Sequence, residues 1–386
     1  MERRLQEVSE ENDRVCPDDG GSSIDTSAMV HEGGPGALSG CGERNPDGED
    51  LFEEFDLEAL NPRLKARLER QREEELRLTI EQKAELASIF GEENAFFDID
   101  MSLKMASGIG SLVEAFSEVR DPETLKKFLE WASERNVDYR FLGSGSKSLI
   151  RDGGVRGVLI RPLGGFDFVK VETKTDEDAL VSAGPAKPLR DFLEFCAGEG
   201  FSGLEGAYPF GGTMGGALFM NLNLGSLRVG DFIDEITVIN REGRELTLRG
   251  KALRFENAGL KLPKTACVVR IVLRLKRVAP GDASSELDGV KAKHSDLPPD
   301  GKNCIVGVFR DAEKTKASDL ICDAGLSGVR IGGARVMPGY LNAISNEGKA
   351  TFKNVTVLMN LMKDKVKQTT GISLEPAVKI IGDRSW

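Results

Sequence analysis

Two glycine-dense segments constrain this chain more than any other feature. The first spans Tyr139 to Gly154 and reads YRFLGSGSKSLIRDGG; the second begins at Leu204 and reads LEGAYPFGGTMGGALFMNLNLG. Glycine carries no Cβ, so the backbone N–H groups of such loops can approach an anion closely. Taken singly, each loop is more often a tight turn between strands than a ligand site. The familiar nucleotide signatures also fail. Lys147 lacks the earlier glycine spacing of a Walker loop, and Leu149 to Arg161 reads as turn and strand where a dinucleotide fingerprint needs a helix. Two separated loops, each after a strand, instead suit an extended ligand whose pyrophosphate is clasped from both sides.

The rest of the chain says what frame holds these loops. Residues 1–57 are rich in Gly, Glu, Asp and Ser and carry too little apolar surface to offset the entropy of ordering, so a disordered acidic tail is expected. Residues 58–97 read as a charged helical segment. Asn61-Pro62 opens one helix, and Thr79 with Gln82 forms a capping box for IEQKAELASIF, stopped by Gly91. Charged helices of this kind are usually solvated appendages.

From residue 98 strands and helices alternate, with Asp121-Pro122 opening a helix and PLRDFLEFCAGEG forming another. A hairpin is expected about Glu242-Gly243, a buried strand at ACVVRIVLRLK, and a linker or long loop from Ala279 to about Asp300. Val355, Leu358, Met359, Met362 and Val366 form the apolar stripe of a long helix, and SLEPAVKIIG reads as a closing strand. The expected division is lobes at about 98–165 and 166–280, then a small α+β domain at 281–386.

Composition narrows the partners. A formal charge of -11 argues against nucleic acid, and no apolar run approaches the roughly 20 residues that cross a bilayer. The first residues lack a signal-peptide core, so a cytoplasmic location is expected. Six cysteines without a C-x-x-C pair and two histidines, His31 and His294, in polar sequence give no reason to expect a metal site or Ser-His catalysis.

Several motifs carry a resemblance to a known family. FLGSGSKSLIRDGGVRGVLI is similar to the first flavin loop of the UDP-N-acetylmuramate dehydrogenase family, also called UDP-N-acetylenolpyruvoylglucosamine reductases, and GLEGAYPFGGTMGGALFMN is similar to its second. LICDAGLSGVRIGGARV, LNAISNEGKAT and GISLEPAVKIIG resemble its C-terminal substrate domain. The likeness runs from about Asp100 to Asp383. It implies an α+β fold: a two-lobed FAD-binding domain of the PCMH type, vanillyl-alcohol-oxidase-like, followed by the small C-terminal domain. It also implies non-covalent FAD, hydride from NADPH, and reduction of an enolpyruvyl UDP-sugar. The cofactor-binding residues it points to are Gly143, Ser144, Gly145, Ser146, Lys147, Ser148, Gly212, Thr213, Gly215, Gly216 and Asn221.

The catalytic positions implied by the resemblance depart from the family pattern. The family Arg falls on Glu256, the proton-donating Ser or Cys on Gly307, and the Glu of its closing motif on Ala377. A carboxylate where a substrate carboxylate needs a cation repels it, and glycine has no proton to give. Cys304 is a possible substitute only if its strand shifts. Glu375, one pleat repeat from Ala377, points to the same side of an extended strand. Lys147 stands where the family has Asn, Gly108 where it has Arg, Tyr340 where it has His, and Pro209-Phe210-Gly211 replaces Gly-Ile-Pro. The expected protein keeps an FAD cleft but has lost or altered the standard reaction. Two alternatives stay open: an active oxidoreductase with Cys304, Glu256 or Lys147 in new roles, and an interaction protein whose acidic and helical N-terminal segment binds a partner.

Overall fold

A computed structural model describes residues 77–223, 227–256, 259–263, 265–295, 297, 302–312 and 315–382. The expected acidic tail and the helix opened by Asn61-Pro62 lie outside these residues.

The first lobe contains α1 (Ile80–Phe90), β1 (Ala95–Asp100), β2 (Leu112–Val119), α2 (Pro122–Glu134), β3 (Tyr139–Phe141), β4 (Ser148–Ile150) and β5 (Val155–Pro162). Its sheet has the order β1-β2-β5-β3, with β1 antiparallel to β2 and both other pairings parallel. The Thr79 capping box forms as the sequence predicts: Gln82 N–H donates to Thr79 Oγ1, and Thr79 N–H donates back to Gln82 Oε1. The helix behind it is no solvated appendage, however. Leu86 and Phe90 are buried in the lobe's core, and the Phe90 ring packs 5.2 Å from that of Phe128 on α2. Its charged residues occupy the outer face, where Glu85 pairs with Arg135. A high charge count hid a two-residue apolar anchor, each residue of which contributes about 1.5–3 kcal/mol on burial.

The second lobe runs through β6 (Val169–Lys174), β7 (Asp178–Ala183), α3 (Leu189–Glu199), β8 (Phe201–Ser202), α4 (Met214–Met220), β9 (Ile233–Ile239), β10 (Glu245–Arg249), β11 (Phe255–Glu256), β12 (Gly259–Leu260), β13 (Cys267–Arg277) and α5 (Pro280–Lys293). Its antiparallel sheet has the order β10-β9-β13-β7-β6, with β8 added along β13. The hairpin turns at Gly243, whose φ of 72° suits glycine. The segment from Ala279 expected as a linker instead forms α5. Pro280 sits in its first turn, and Ala283 and Leu287 enter the lobe's core beside α3. Only two buried positions and the glycines Gly281 and Gly289 left the periodicity too faint to read.

The C-terminal domain holds β14 (Cys304–Val306), α6 (Ala317–Asp323), β15 (Arg330–Ile331), β16 (Ala334–Val336), β17 (Ala343–Asn346), α7 (Phe352–Thr370) and β18 (Lys379–Ile381). Its sheet order is β14-β17-β16-β15. The stripe Val355, Leu358, Met359, Met362 and Val366 is buried against that sheet, as the spacing predicts. The closing strand is shorter than expected. β18 leaves the domain to pair in parallel with β4, tying the chain's end to the strand that follows the first glycine loop.

Candidate functional site

The first glycine loop crosses from β3 to β4. Gly145 has φ 78°, a conformation that favours glycine, and a Cβ there would lie 2.4 Å from the sulfur of the Met105 side chain. Arg161 on β5 props the loop from beneath, donating to the carbonyls of Gly143 at 3.0 Å and Lys104 at 2.7 Å. The second loop, Gly211 to Gly216, turns into α4. Gly211 and Gly212 have φ 57° and 82°, and Thr213 caps the helix by accepting from Gly216 N–H.

The two loops meet. A Cβ on Gly212 would lie 2.7 Å from Ser146 Oγ, and one on Gly143 would lie 2.9 Å from Thr213 Oγ1. Among the described residues, no protein acceptor meets the N–H groups of Ser144, Gly145, Ser146, Lys147, Gly212 or Thr213. Gly145 is buried and the other five are half-buried. Sheltered backbone donors without acceptors are rare in folded proteins and are costly to leave unmet. Two facing rows of them fit an anion with several oxygens, such as a pyrophosphate.

Beside the clasp lies a cavity of about 60 Å³ that joins the first loop, the end of α4 and the C-terminal domain. Lys147 extends into it and donates to the Gly307 carbonyl at 2.7 Å, its Nζ standing 4.7 Å from the centre of the Phe210 ring. Desolvation, aided by repulsion from Arg310 and opposed by Asp311, lowers the Lys147 pKa from 10.5 to about 7. Arg310 lines the same cavity. Its pKa is lowered by desolvation and by Arg228, against the pull of Glu375. Gly307 has φ 67°, and a Cβ there would lie 2.8 Å from the Phe210 ring and 2.9 Å from Lys147 Nζ. Lys147 thus occupies the space a side chain at residue 307 would take.

Residues 113–249 match the family model described as "FAD binding domain", and residues 299–381 match "UDP-N-acetylenolpyruvoylglucosamine reductase, C-terminal domain". A UDP-N-acetylenolpyruvoylglucosamine reductase from Geobacter sulfurreducens is 32% identical over 286 residues, covering 74% of this chain and 93% of the relative. This chain belongs to the UDP-N-acetylenolpyruvoylglucosamine reductase family. A reductase of the same name from Lachnoclostridium phytofermentans is 28% identical over 301 residues, covering 78% of this chain and 97% of that one. The crystal structure of the reductase from Thermus caldophilus superposes with a TM-score of 0.60 at 25% identity, covering 73% of this chain and 97% of that one. The fold is accordingly the two-lobed FAD-binding domain of the reductases followed by their small α+β domain. Among the described residues, no helix is long and apolar enough to cross a membrane.

The positions to which the resemblance points are distributed unevenly over this geometry. Gly307 and Ala377 both line the cavity. Glu256 contributes its backbone to β11, paired with Gly259; its side chain and Ala258 lie outside the described residues. Residues 375–377 form no strand but a single bridge between Pro376 and Phe309, which leaves Glu375 exposed while Ala377 is buried. Cys304 is buried on β14 in a separate apolar cluster with Val306 and Ala343, and burial pushes its thiol up to about 11.

The N–H groups of Gly215 and Gly216 are already taken, by the Pro185 carbonyl and Thr213 Oγ1, so these two glycines serve packing and capping. Asn221 ends α4 with φ 45° and accepts from Gly230 N–H, fixing the turn that flanks the cavity. Asn342 holds both backbone groups of Phe309, and Asn346 bonds the Gly108 carbonyl. Tyr340 bonds His294 Nδ1 at 2.7 Å, away from the cavity lining. Arg161 escaped the sequence reading because nothing local marks it as a support of the first loop.

Proposed function

We propose that this chain binds FAD in the two-loop clasp and that the standard NADPH-dependent reduction of an enolpyruvyl UDP-sugar is lost or altered. The facing rows of unmet N–H groups in residues 144–147 and 212–213 support the first part. FAD, when bound, supplies hydride chemistry; the clasp residues hold its pyrophosphate, with Ser144, Ser146 and Ser148 hydroxyls beside the backbone donors. NADPH is the reductant only if turnover survives.

The observation that carries the second part is the cavity wall. Gly307 offers no proton, Ala377 offers no carboxyl, and a lysine ammonium fills the space between them and the first loop. Protonating a carbanion or bracing an enolate takes a group with an exchangeable proton or a fixed charge at that wall, and in place of side chains at residues 307 and 377 the charged groups there are Lys147, Arg310 and Asp311. Glu256 replaces the third group by sequence. In this reading residues 98–280 are the FAD-binding part and 281–386 the C-terminal part, α5 packs on the former, and the acidic segment before residue 77 is open to a protein partner.

Titration with FAD, followed by visible absorption and quenching of flavin fluorescence, tests cofactor retention. Saturable binding with a perturbed flavin spectrum is expected. A colourless protein that leaves added FAD unperturbed would sink the proposal.

A further inference from the structure

Unmet N–H groups hold an anion only when they are kept pointing at it, and a glycine-rich loop has little conformational preference of its own to do so. In a planar trans peptide the C=O and N–H point in opposite directions. Gripping a carbonyl on one side of a loop therefore aims the next residue's N–H at the other side. The first glycine loop is gripped in this way at two successive peptides. Arg161 Nε donates to the Gly143 carbonyl at 3.0 Å, which turns the Ser144 N–H away from Arg161. Ala106 N–H donates to the Ser144 carbonyl at 3.0 Å, which turns the Gly145 N–H away from Ala106. Among the described residues neither of these two N–H groups meets a protein acceptor.

 Arg161 stands behind both grips. Its Nη2 donates to the Lys104 carbonyl at 2.7 Å, two residues before Ala106, so one guanidinium fixes the loop and also the segment that holds the loop. That segment is anchored from its other side by the C-terminal domain. Asn303 N–H donates to the Ala106 carbonyl at 2.9 Å, and Asn346 Nδ2 donates to the Gly108 carbonyl at 2.9 Å. The guanidinium carbon lies 5.0 Å from the centre of the Phe116 ring, which restricts its swing. Desolvation lowers the Arg161 pKa against the pull of Glu118, and the group stays protonated because arginine does not lose its proton in proteins. A planar fork reaching two carbonyls at once is a task that the single ammonium of lysine meets only in part.

We infer that Arg161 is a positioning residue for the cofactor, acting through the Gly143 and Lys104 carbonyls to aim the Ser144 and Gly145 N–H groups at a pyrophosphate. This role rests on the FAD reading of the clasp and adds to it: the hold of the first loop on its ligand is set from β5 beneath it and not by the loop sequence alone. The second loop has no such dependence. Its turn into α4 is fixed by the Thr213 cap and by the bond from Gly215 N–H to the Pro185 carbonyl. Loss of Arg161 should therefore loosen one side of the clasp and leave the other.

The test titrates wild type, Arg161→Met and Arg161→Lys with FAD by fluorescence, then reads amide hydrogen exchange by mass spectrometry at saturating FAD. Arg161→Met should bind FAD at least about tenfold more weakly, a difference of about 1.4 kcal/mol, and Arg161→Lys should recover part of the loss. In wild type, FAD should slow exchange in peptides covering residues 143–147 and 211–216. In Arg161→Met the protection of 143–147 should fall while that of 211–216 is kept. A role confined to stability would lower both alike. Thermal melting without ligand checks that each variant is folded; should Arg161→Met fail to fold, Arg161→Lys carries the same comparison of the two loops. An FAD affinity of Arg161→Met within about threefold of wild type, or equal loss of protection in the two loops, would overturn the positioning role while leaving FAD binding intact. Wild-type protein that leaves FAD unbound would overturn the FAD reading itself, and this role with it.

Discussion

The clasp and the wall beside it have followed different rules. In the clasp, glycines stand where a Cβ would collide: Gly212 against Ser146, Gly143 against Thr213, Gly145 against Met105. What that region offers a ligand is backbone: the N–H groups of residues 144–147 and 212–213 have no acceptor among the described residues. At the wall, chemistry would need side chains, and there Gly307 has none, Ala377 has a methyl group and Lys147 fills the space beside residue 307. On the proposed function, cofactor holding and substrate chemistry are separable in this fold, because one would reside in backbone geometry and the other in a few side-chain termini.

The comparison breaks first if the clasp can tolerate a side chain. Gly212→Val adds a branched Cβ at φ 82° against Ser146, and FAD affinity should fall by at least about 100-fold, or about 2.7 kcal/mol, in a fluorescence titration. Unchanged affinity would show that the facing loops are not the binding surface.

The wall is sharpened by rebuilding it. Restoring Glu256→Arg, Gly307→Ser and Ala377→Glu together leaves Lys147 Nζ 2.9 Å from the new Cβ at residue 307 and leaves that residue at φ 67°. Adding Lys147→Asn clears the space, so the fourfold variant should reduce the enolpyruvyl UDP-sugar at least about tenfold faster than the threefold one, about 1.4 kcal/mol in barrier. Equal rates would show that Lys147 and residue 307 are not coupled.

A smaller effect concerns pH and stability. Above pH 7 the folded Lys147 is a neutral amine, whereas the unfolded chain keeps that proton up to about 10.5. The unfolded state then binds more protons, so this residue's contribution to stability rises with pH from about 7 upward. Urea midpoints at pH 6.5 and 8.5 should rise more for wild type than for Lys147→Met, and parallel changes would contradict the desolvated ammonium. The smallest expected effect is that of Cys304→Ala. Its buried thiol lies outside the cavity lining, so flavin reduction and reoxidation rates should stay within about twofold. A larger loss would return Cys304 to the site.

Much of the frame was legible because it is local. The Thr79 capping box, the turn at Gly243 and the stripe from Val355 to Val366 each follow from a few neighbouring residues. What escaped was weakly patterned or distant. Helix 280–293 buries only Ala283 and Leu287, and the segment after Leu374 is set by the bridge from Pro376 to Phe309 and by β4 rather than by its own alternation. At the site, the sequence marked both loops but could not show where Lys147 goes. Its partner, the Gly307 carbonyl, is 160 residues away and offers no side chain to read.

The most direct measurement is stopped-flow absorbance of the FAD-loaded protein, reduced with NADPH or dithionite and mixed with the enolpyruvyl UDP-sugar. The account predicts that the flavin bands are present and that their return is at least about 100-fold slower than in the Geobacter sulfurreducens relative, a barrier increase of about 2.7 kcal/mol. Reoxidation at the relative's rate would contradict it, because the wall at Gly307 and Ala377 would then be performing the chemistry it is argued to have given up.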